Sequence, residues 1–352
     1  MGEPAAIAAR IRRWEEEGPQ GPVTLELYPT LKCNLDCVFC DTTDRHQGRQ
    51  NELPLQRHLE ILDEARELGV ERVFVLGGGE PLVARDLTPP ILHRVKELGM
   101  EGILTTNGTI LPKSLRSQLL DDEWDELHVS IDGPSAEIHD RLRGKDGAFD
   151  KTITNLCRLN VAKRRRGQSS PRLALHFVIT NQNHRTLTEV VRLAHALGCF
   201  RVDFDALVAY RPEQLALKLS PEQMEEVPGI ARAALAEARK LGVATTLENY
   251  LEASKLERGT HAAPESKGGL REAMCLKAWH YLVVQADGRT SPCCVLAGQG
   301  ESVADKPLAE IWRDGAFLNK VRGAMESGRP LQRCRECSPN ILEHERNIRS
   351  HL

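Results

Sequence analysis

From about residue 22 to about residue 210 the chain alternates six short β-type runs with longer helical patterns, and this alternation constrains the fold more than any other feature. The candidate strands are Val23–Tyr28, Arg72–Leu76, Gly102–Thr106, Glu126–Ile131, Leu173–Thr180 and Arg201–Ala206. Helical patterns such as Leu55–Leu68, Leu87–Leu98, Lys113–Leu120 and Leu187–Leu197 lie between them. Repeated β-then-α units predict parallel strands with right-handed crossovers. That leaves a doubly wound sheet or a full or partial barrel.

The strand faces bear on the choice, because successive side chains point to opposite sides of a strand. Leu127, Val129 and Ile131 oppose Glu126, His128, Ser130 and Asp132. Val202, Phe204 and Ala206 oppose Arg201, Asp203 and Asp205, and Leu175, Phe177 and Ile179 oppose a face that carries His176. A doubly wound sheet is covered by helices on both sides and is apolar on both. One apolar and one polar face fit a curved sheet with helices outside and a polar cavity inside, although a sheet face open to water gives the same pattern. The expected fold is α/β, a partial (β/α)6 TIM-like barrel over residues 22–212. Residues 1–21 read as a helical segment and 213–270 as a helical linker, with Ser220-Pro221-Glu222 as a helix start. The linker ends in a stretch rich in small residues, Thr260 to Gly269. A small cysteine-containing domain occupies 271–352.

The 352 residues carry 47 Lys and Arg against 50 Asp and Glu, a net charge of -3, which gives no general attraction to nucleic acid or an anionic membrane. The basic run Lys163 to Arg166 reads as a solvated helix end. Neither a membrane span nor a signal peptide is evident, so a cytoplasmic location is expected. Ten cysteines without an export signal point to metal, not to a disulfide framework.

Cys33, Cys37 and Cys40 have the spacing C-x3-C-x2-C directly after the first strand, on a loop at a C-terminal strand end, where barrel folds do their chemistry. Three thiolates on one loop hold three irons of a four-iron cluster and leave the fourth open. Structural zinc is the rival. It wants four ligands, and locally only His46 is not far off.

With these cysteines and the segments downstream, the sequence resembles the radical S-adenosylmethionine superfamily. The resemblance implies that the open iron is chelated by S-adenosylmethionine. Its reductive cleavage, fed by a flavodoxin- or ferredoxin-type donor, then gives a 5′-deoxyadenosyl radical that abstracts hydrogen. Gly77-Gly78-Gly79-Glu80-Pro81 matches the glycine-rich bend that meets the methionine amino group. Thr106-Asn107-Gly108 matches the turn after the third strand. By the same resemblance, Ser130 contacts the cofactor's ribose or carboxylate region, and Arg143 pairs with its carboxylate.

The C-terminal region, with Cys275, Cys293 and Cys334-Arg335-Glu336-Cys337, resembles the auxiliary-cluster extensions called SPASM and twitch domains. Its four cysteines imply one fully ligated cluster, and therefore two 4Fe–4S clusters in all, with zinc as the competitor at the second site. No cysteine follows Cys337, which favours the shorter twitch type. Cys157, Cys199 and Cys294 remain. Free cysteines are ordinarily small buried hydrophobes. The sharper reading makes Cys199 or Cys294 a hydrogen donor to a substrate radical.

If the polar strand faces line the cavity, Glu26, Tyr28, His128, His176, Arg201, Asp203 and Asp205 crowd it. Charges so placed call for a polar ligand, such as an amino sugar, aminocyclitol, nucleotide sugar or peptide. The leading expectation is an oxidoreductase that takes hydrogen from such a small molecule and passes an electron to the auxiliary cluster. The rivals are a radical epimerase with a cysteine donor, a peptide-modifying enzyme, and a non-catalytic iron–sulfur carrier. Only 32 residues precede Cys33, too few for an added peptide-recognition domain, which lowers the peptide expectation.

Overall fold

A computed structural model describes residues 3–40, 51–209, 211–252 and 269–352. His46 and the stretch 260–268 fall outside the described residues. The chain begins with helix α1 (Glu3–Glu17), and strand β1 (Thr24–Leu27) follows. Then come α2 (Leu55–Glu67), β2 (Arg72–Val75), α3 (Thr88–Glu97), β3 (Glu101–Thr106), α4 (Lys113–Asp121) and β4 (Glu126–Ser130). Two helices, α5 (Ala136–Arg143) and α6 (Ala148–Arg166), precede β5 (Arg172–Ile179), α7 (Leu187–Ala196) and β6 (Arg201–Ala206). Next are α8 (Pro212–Leu215), α9 (Pro221–Leu241) and β7 (Ala244–Thr245). The C-terminal part holds β8 (Tyr281–Val284), β9 (Thr290–Ser291), α10 (Leu308–Asp314), α11 (Ala316–Glu326) and α12 (Pro339–Arg349).

The apolar strand faces explain the layering. Leu25, Val73, Leu127, Leu175, Phe177 and Phe204 are fully buried in one core with Ile61, Leu62, Ile91, Val190 and Val191 from the outer helices. Glu26, His128 and Asp203 occupy the opposite face. Helix α9 starts where Ser220 forms a capping box with Gln223.

The sheet is larger than the six strands read from the sequence. Its order is β7-β6-β5-β4-β3-β2-β1-β8-β9. Strand β8 pairs parallel with β1, Glu26 opposite Val283, so the C-terminal module extends the barrel sheet instead of standing beside it. At the other edge β7 pairs with β6, and α9 packs on α7. The residues read as a linker thus add a helix and a strand to the barrel. Helix α1 packs away from the barrel core, with Ile7 and Ile11 buried against Leu276, Trp279 and Ile348 of the C-terminal module. The Arg322 guanidinium lies over both Trp14 and Trp312, 4.9 and 4.7 Å from the ring centroids. No helix among the described residues is long and apolar enough to cross a membrane.

His58 on α2 is fully buried, and neither ring nitrogen has a hydrogen-bond partner. Burial holds its pKa down to about 4, from 6.5. The unfolded chain therefore binds a proton that the folded chain refuses, and stability is lost as pH falls from about 6.5 toward about 4. Between about pH 7.5 and 5.5 we expect His58→Leu to lose roughly 1 kcal/mol less stability than the parent, read from urea midpoints. Equal losses would show that His58 does not carry this slope.

Candidate functional site

The loop carrying Cys33, Cys37 and Cys40 leaves the C-terminal end of β1 and is gripped on both sides by backbone. On one side Glu80 N–H donates to Lys32 O at 2.8 Å. A Cβ on Gly79 would sit within 3.0 Å of Lys32 O and of the Leu31 carbonyl, a separation that real Cβ atoms essentially never show. On the other side Asp36 N–H and Val38 N–H donate to Arg143 O and Leu142 O, at 3.2 and 3.0 Å. Gly144 ends α5 with φ +63°, and a Cβ there would collide with Asp36 O. Cys40 O accepts from Arg211 Nη2 and Gln214 Nε2 of the segment around α8, at 2.7 and 2.8 Å. Only glycine fits where the neighbouring chains close on this loop, so the three sulfurs are held on a fixed frame.

Glu80 is the hub beneath it. Its carboxylate accepts from Leu82 N–H at 3.0 Å, Thr106 Oγ1 at 2.6 Å and Asn107 N–H at 2.7 Å. Burial pushes its pKa up, and these three donors oppose the rise. Asn107 Nδ2 in turn donates to Asn34 Oδ1 in the cysteine loop at 3.0 Å. The glycine-rich bend, the turn after β3 and the cysteine loop are thereby one hydrogen-bonded unit. Ser130 ends β4, level with His176 on β5. Arg143 is buried, and its Nε sits 2.5 Å from Asp132 Oδ2. Its Nη1 lies 3.7 Å from Cys37 Sγ, and its guanidinium is 5.3 Å from the Phe39 ring centroid. Burial raises the Asp132 carboxyl, and the neighbouring guanidinium opposes that rise. Asp132 as the anchor of Arg143 went unread in the sequence, although it closes the Ser130–Gly133 segment.

Cys275, Cys293, Cys334 and Cys337 line one cavity in the C-terminal module, with apolar walls from Met274, Leu296 and Val321. Burial pushes the Cys33 thiol up to about 11, Cys334 to about 11 and Cys293 to about 12. Thiolates in such places need a bound cation, and clustered cysteines suit iron–sulfur ligation. The donor types suit clusters, three cysteines on one loop and four lining an apolar pocket, although among the described residues no three ligating side chains are gathered around one point.

Between the two sets lies a cleft of about 470 Å³. Cys37, Phe39, Cys40 and Arg143 form one wall, and Cys294, Val295, Ser338 and Ile341 form another. Val178, Ala206, Leu207 and Val208 add apolar surface. Asp205 also lines it, held by Asn340 Nδ2 at 2.7 Å and Ser338 Oγ at 3.4 Å. Ser338 and Asn340 went unread, and their only signal was their place one and three residues after Cys337.

Of the six proposed substrate contacts, Asp205 alone lines this cleft; the others have partners within the protein. Tyr28 donates to Glu26 Oε1 at 2.6 Å, and Tyr281 of β8 donates to Glu26 Oε2. His176 Nε2 is 2.9 Å from His128 Nδ1, and His128 Nε2 is 2.8 Å from Glu126 Oε2. An ionised Glu126 places a proton on His128 Nε2, and one further proton is shared between His128 Nδ1 and His176 Nε2. Burial, then His128, holds the His176 pKa down to about 4. Arg201 Nε is 2.5 Å from Asp203 Oδ1. Cys199 sits in the apolar core before β6, away from the cleft, and burial raises its pKa to about 12. Cys294 is the proposed donor thiol that the fold brings to the cleft.

Comparison with known proteins gives two family matches. The radical SAM superfamily model matches residues 27–198, and the SPASM model, an iron–sulfur cluster-binding domain, matches residues 275–338. An AdoMet-dependent heme synthase of Methanosarcina barkeri is 27% identical over 303 residues, 84% of this chain and 84% of its own length. A PqqA peptide cyclase of Granulibacter bethesdensis is 28% identical over 332 residues, 92% of this chain and 81% of its own. SuiB of Streptococcus suis superposes with a TM-score of 0.69 at 18% identity, covering 90% of this chain and 71% of that one. The structure of anSMEcpe with AdoMet and the Cp18Cys peptide gives 0.62 at 18% identity, covering 90% and 86%. At these identities the superpositions show a shared fold.

The clamp predicts a specific lesion. Gly79→Ala and Gly144→Ala should each lose most of the iron held at the N-terminal loop, measured anaerobically as iron and sulfide per chain. Gly229→Ala, where a methyl group on α9 meets nothing within 4 Å, should keep its iron and gain up to about 1 kcal/mol from helix propensity. Full iron in both clamp variants would refute the steric argument.

Proposed function

This chain belongs to the radical SAM superfamily and ends in a SPASM iron–sulfur cluster-binding domain, and we propose that within that superfamily it is an enzyme that modifies a side chain of a peptide. The observation that carries this reading is the cleft between the two cysteine sets. Its walls are mostly apolar, with Asp205 and Ser338 as polar points and Arg143 as its cation. An amino-acid side chain suits that lining. A polyhydroxylated sugar needs a polar partner for each buried hydroxyl, and the groups that would have served are paired with each other below the cleft. The PqqA peptide cyclase matching 92% of this chain supports the same choice.

The reading includes two 4Fe–4S clusters, one at Cys33, Cys37 and Cys40 and one at Cys275, Cys293, Cys334 and Cys337. When loaded, the first cluster and S-adenosylmethionine supply the hydrogen-abstracting radical. The protein's part is positional. Glu80 fixes the bend and Asn107 around the cofactor site, and Gly77 and Gly78 keep that approach open. Ser130 and Arg143 face the cofactor from β4 and α5, with Asp132 orienting the guanidinium. Cys294 stands at the cleft wall, placed to return a hydrogen atom if the outcome is epimerisation.

A porphyrin-type substrate is a second reading, favoured by the heme synthase at 27% identity. Its carboxylates would need cations, and Arg143 is already paired with Asp132.

Two measurements test the proposal. The reconstituted chain should carry about eight irons, falling to about four in a Cys33/Cys37/Cys40→Ala triple variant. With dithionite and peptides encoded by neighbouring genes, the parent should release 5′-deoxyadenosine and convert one peptide to a product two hydrogens lighter. In deuterated water, a peptide of unchanged redox state that gains one deuterium favours the Cys294 route, and Cys294→Ala should abolish that gain. Turnover of Fe-coproporphyrin III with every peptide left intact would reject the peptide reading.

A further inference from the structure

The outer face of the barrel carries a second concavity that the chemistry above does not use. It is a groove of about 680 Å³ between α4 and α6. Helical spacing builds it, because residues three and four apart share a helix face. On α6 that stripe is Thr154, Arg158, Val161 and Arg165, and α4 contributes Lys113, Arg116 and Leu120. From Ile153 to Arg166 the groove runs roughly 20 Å along the α6 axis.

Two of its properties call for an occupant. Its charge has one sign: Lys113, Arg116, Arg158, Arg165 and Arg166 line it, on a chain whose net charge is -3. Arg166 pairs with Asp121 at 2.5 Å, but among the described residues no carboxylate pairs with Lys113, Arg116, Arg158 or Arg165. Arg116 and Arg158 lie close enough to repel, adding to the effect of burial in lowering the Arg116 pKa. Like charges gathered without counter-charges cost stability that an anionic partner would return. The groove is also amphipathic. Leu120, Ile153 and Ala162 form apolar surface within it, and Val161, at 38% exposure, is one of three large hydrophobic side chains so exposed among the described residues. No aromatic ring lines it, so it offers no platform for stacking nucleic-acid bases. An apolar surface edged by cations fits a chain that alternates carboxylates with aliphatic groups.

Position links the groove to the cleft. Thr152 Oγ1 on α6 donates to Asn107 O at 2.9 Å, and Asn155 Nδ2 donates to Gly108 O at 2.9 Å, in the turn that Glu80 organises. Lys113 opens α4 a few residues after that turn, at the mouth end of the barrel. A peptide leaving the cleft can therefore pass over this rim and along the groove. Resting on the peptide reading above, we propose that the α4–α6 groove docks an acidic, amphipathic segment of the peptide substrate that lies outside the modified residues. The groove supplies affinity and register, and the cleft performs the chemistry.

Exposed Cys157 lies in the groove and serves as a reporter. The test uses the anaerobic, cluster-loaded full chain and a fluorescein-labelled 16-residue peptide with Glu on one helical face and Leu on the other. The same peptide with Gln for Glu and a single-stranded RNA 20-mer are the comparison probes. We expect the acidic peptide to bind, to weaken as salt rises, and to slow alkylation of Cys157, mapped by mass spectrometry. Arg158→Glu/Arg165→Glu should weaken it at least tenfold, with 5′-deoxyadenosine formation unchanged. No binding, equal binding by the charge-reversed variant, tighter binding of RNA or of the Gln peptide, or unprotected Cys157 would each overturn the proposal. The two readings fail separately. Binding and protection with no peptide ever modified would leave the docking site and remove the peptide-modifying assignment. A modified peptide whose KM is unmoved by charge reversal would do the opposite.

Discussion

The cysteine loop can present three sulfurs in a fixed array because two stretches of backbone close on it from opposite sides. Lys32 O is held by Glu80 N–H, and Asp36 and Val38 are held by the carbonyls that end α5. Both contacts demand glycine, Gly79 on one side and Gly144 on the other, since a single methyl group would fill the space the loop occupies. A backbone clamp of this kind cannot be relaxed by choosing another rotamer. The remaining features of the site hang from it. Glu80 ties the clamp to Thr106 and Asn107, and Arg143, one residue before Gly144, is placed beside Cys37 by the same turn.

A second constraint joins the halves of the molecule. Strand β8 continues the barrel sheet at β1, and Glu26 accepts from Tyr28 just after β1 and from Tyr281 across the join. A buried carboxylate left with one donor would be costly, so Glu26 favours the arrangement in which the C-terminal module stays attached. That attachment puts Cys294 and Ser338 opposite Cys37 and Cys40 over a single cleft. On the polar barrel face Glu26 is held by Tyr28 and Tyr281, His128 meets His176 and Asp203 pairs with Arg201.

Much of this was legible in the sequence. The strand runs came out nearly as written because alternation on Glu126–Ser130 and Arg201–Ala206 reports a half-buried strand directly. The cysteine spacing and the glycine-rich bend announced the site because few other structures need those residue types so close together. What the sequence concealed was long-range. Nothing local says that Tyr281 pairs with Glu26, that Asn340 holds Asp205, or that β8 docks on β1. Polar strand faces were read as a cavity lining because alternation reports which face is polar, but not whether those groups meet a ligand or each other. Likewise the sequence shows the basic end of α6, whose Arg164, Arg165 and Arg166 are exposed, but not that α4 brings Lys113 and Arg116 into one groove with the last two.

The central claim is that the Cys33, Cys37 and Cys40 loop leaves one iron of its cluster open to S-adenosylmethionine. The direct measurement is the electron paramagnetic resonance spectrum of the dithionite-reduced chain in which Cys275, Cys293, Cys334 and Cys337 are all replaced by Ala, taken with and without S-adenosylmethionine. The account predicts a single reduced four-iron signal whose g values shift when the cofactor is added. A four-iron signal unmoved by saturating S-adenosylmethionine would contradict it.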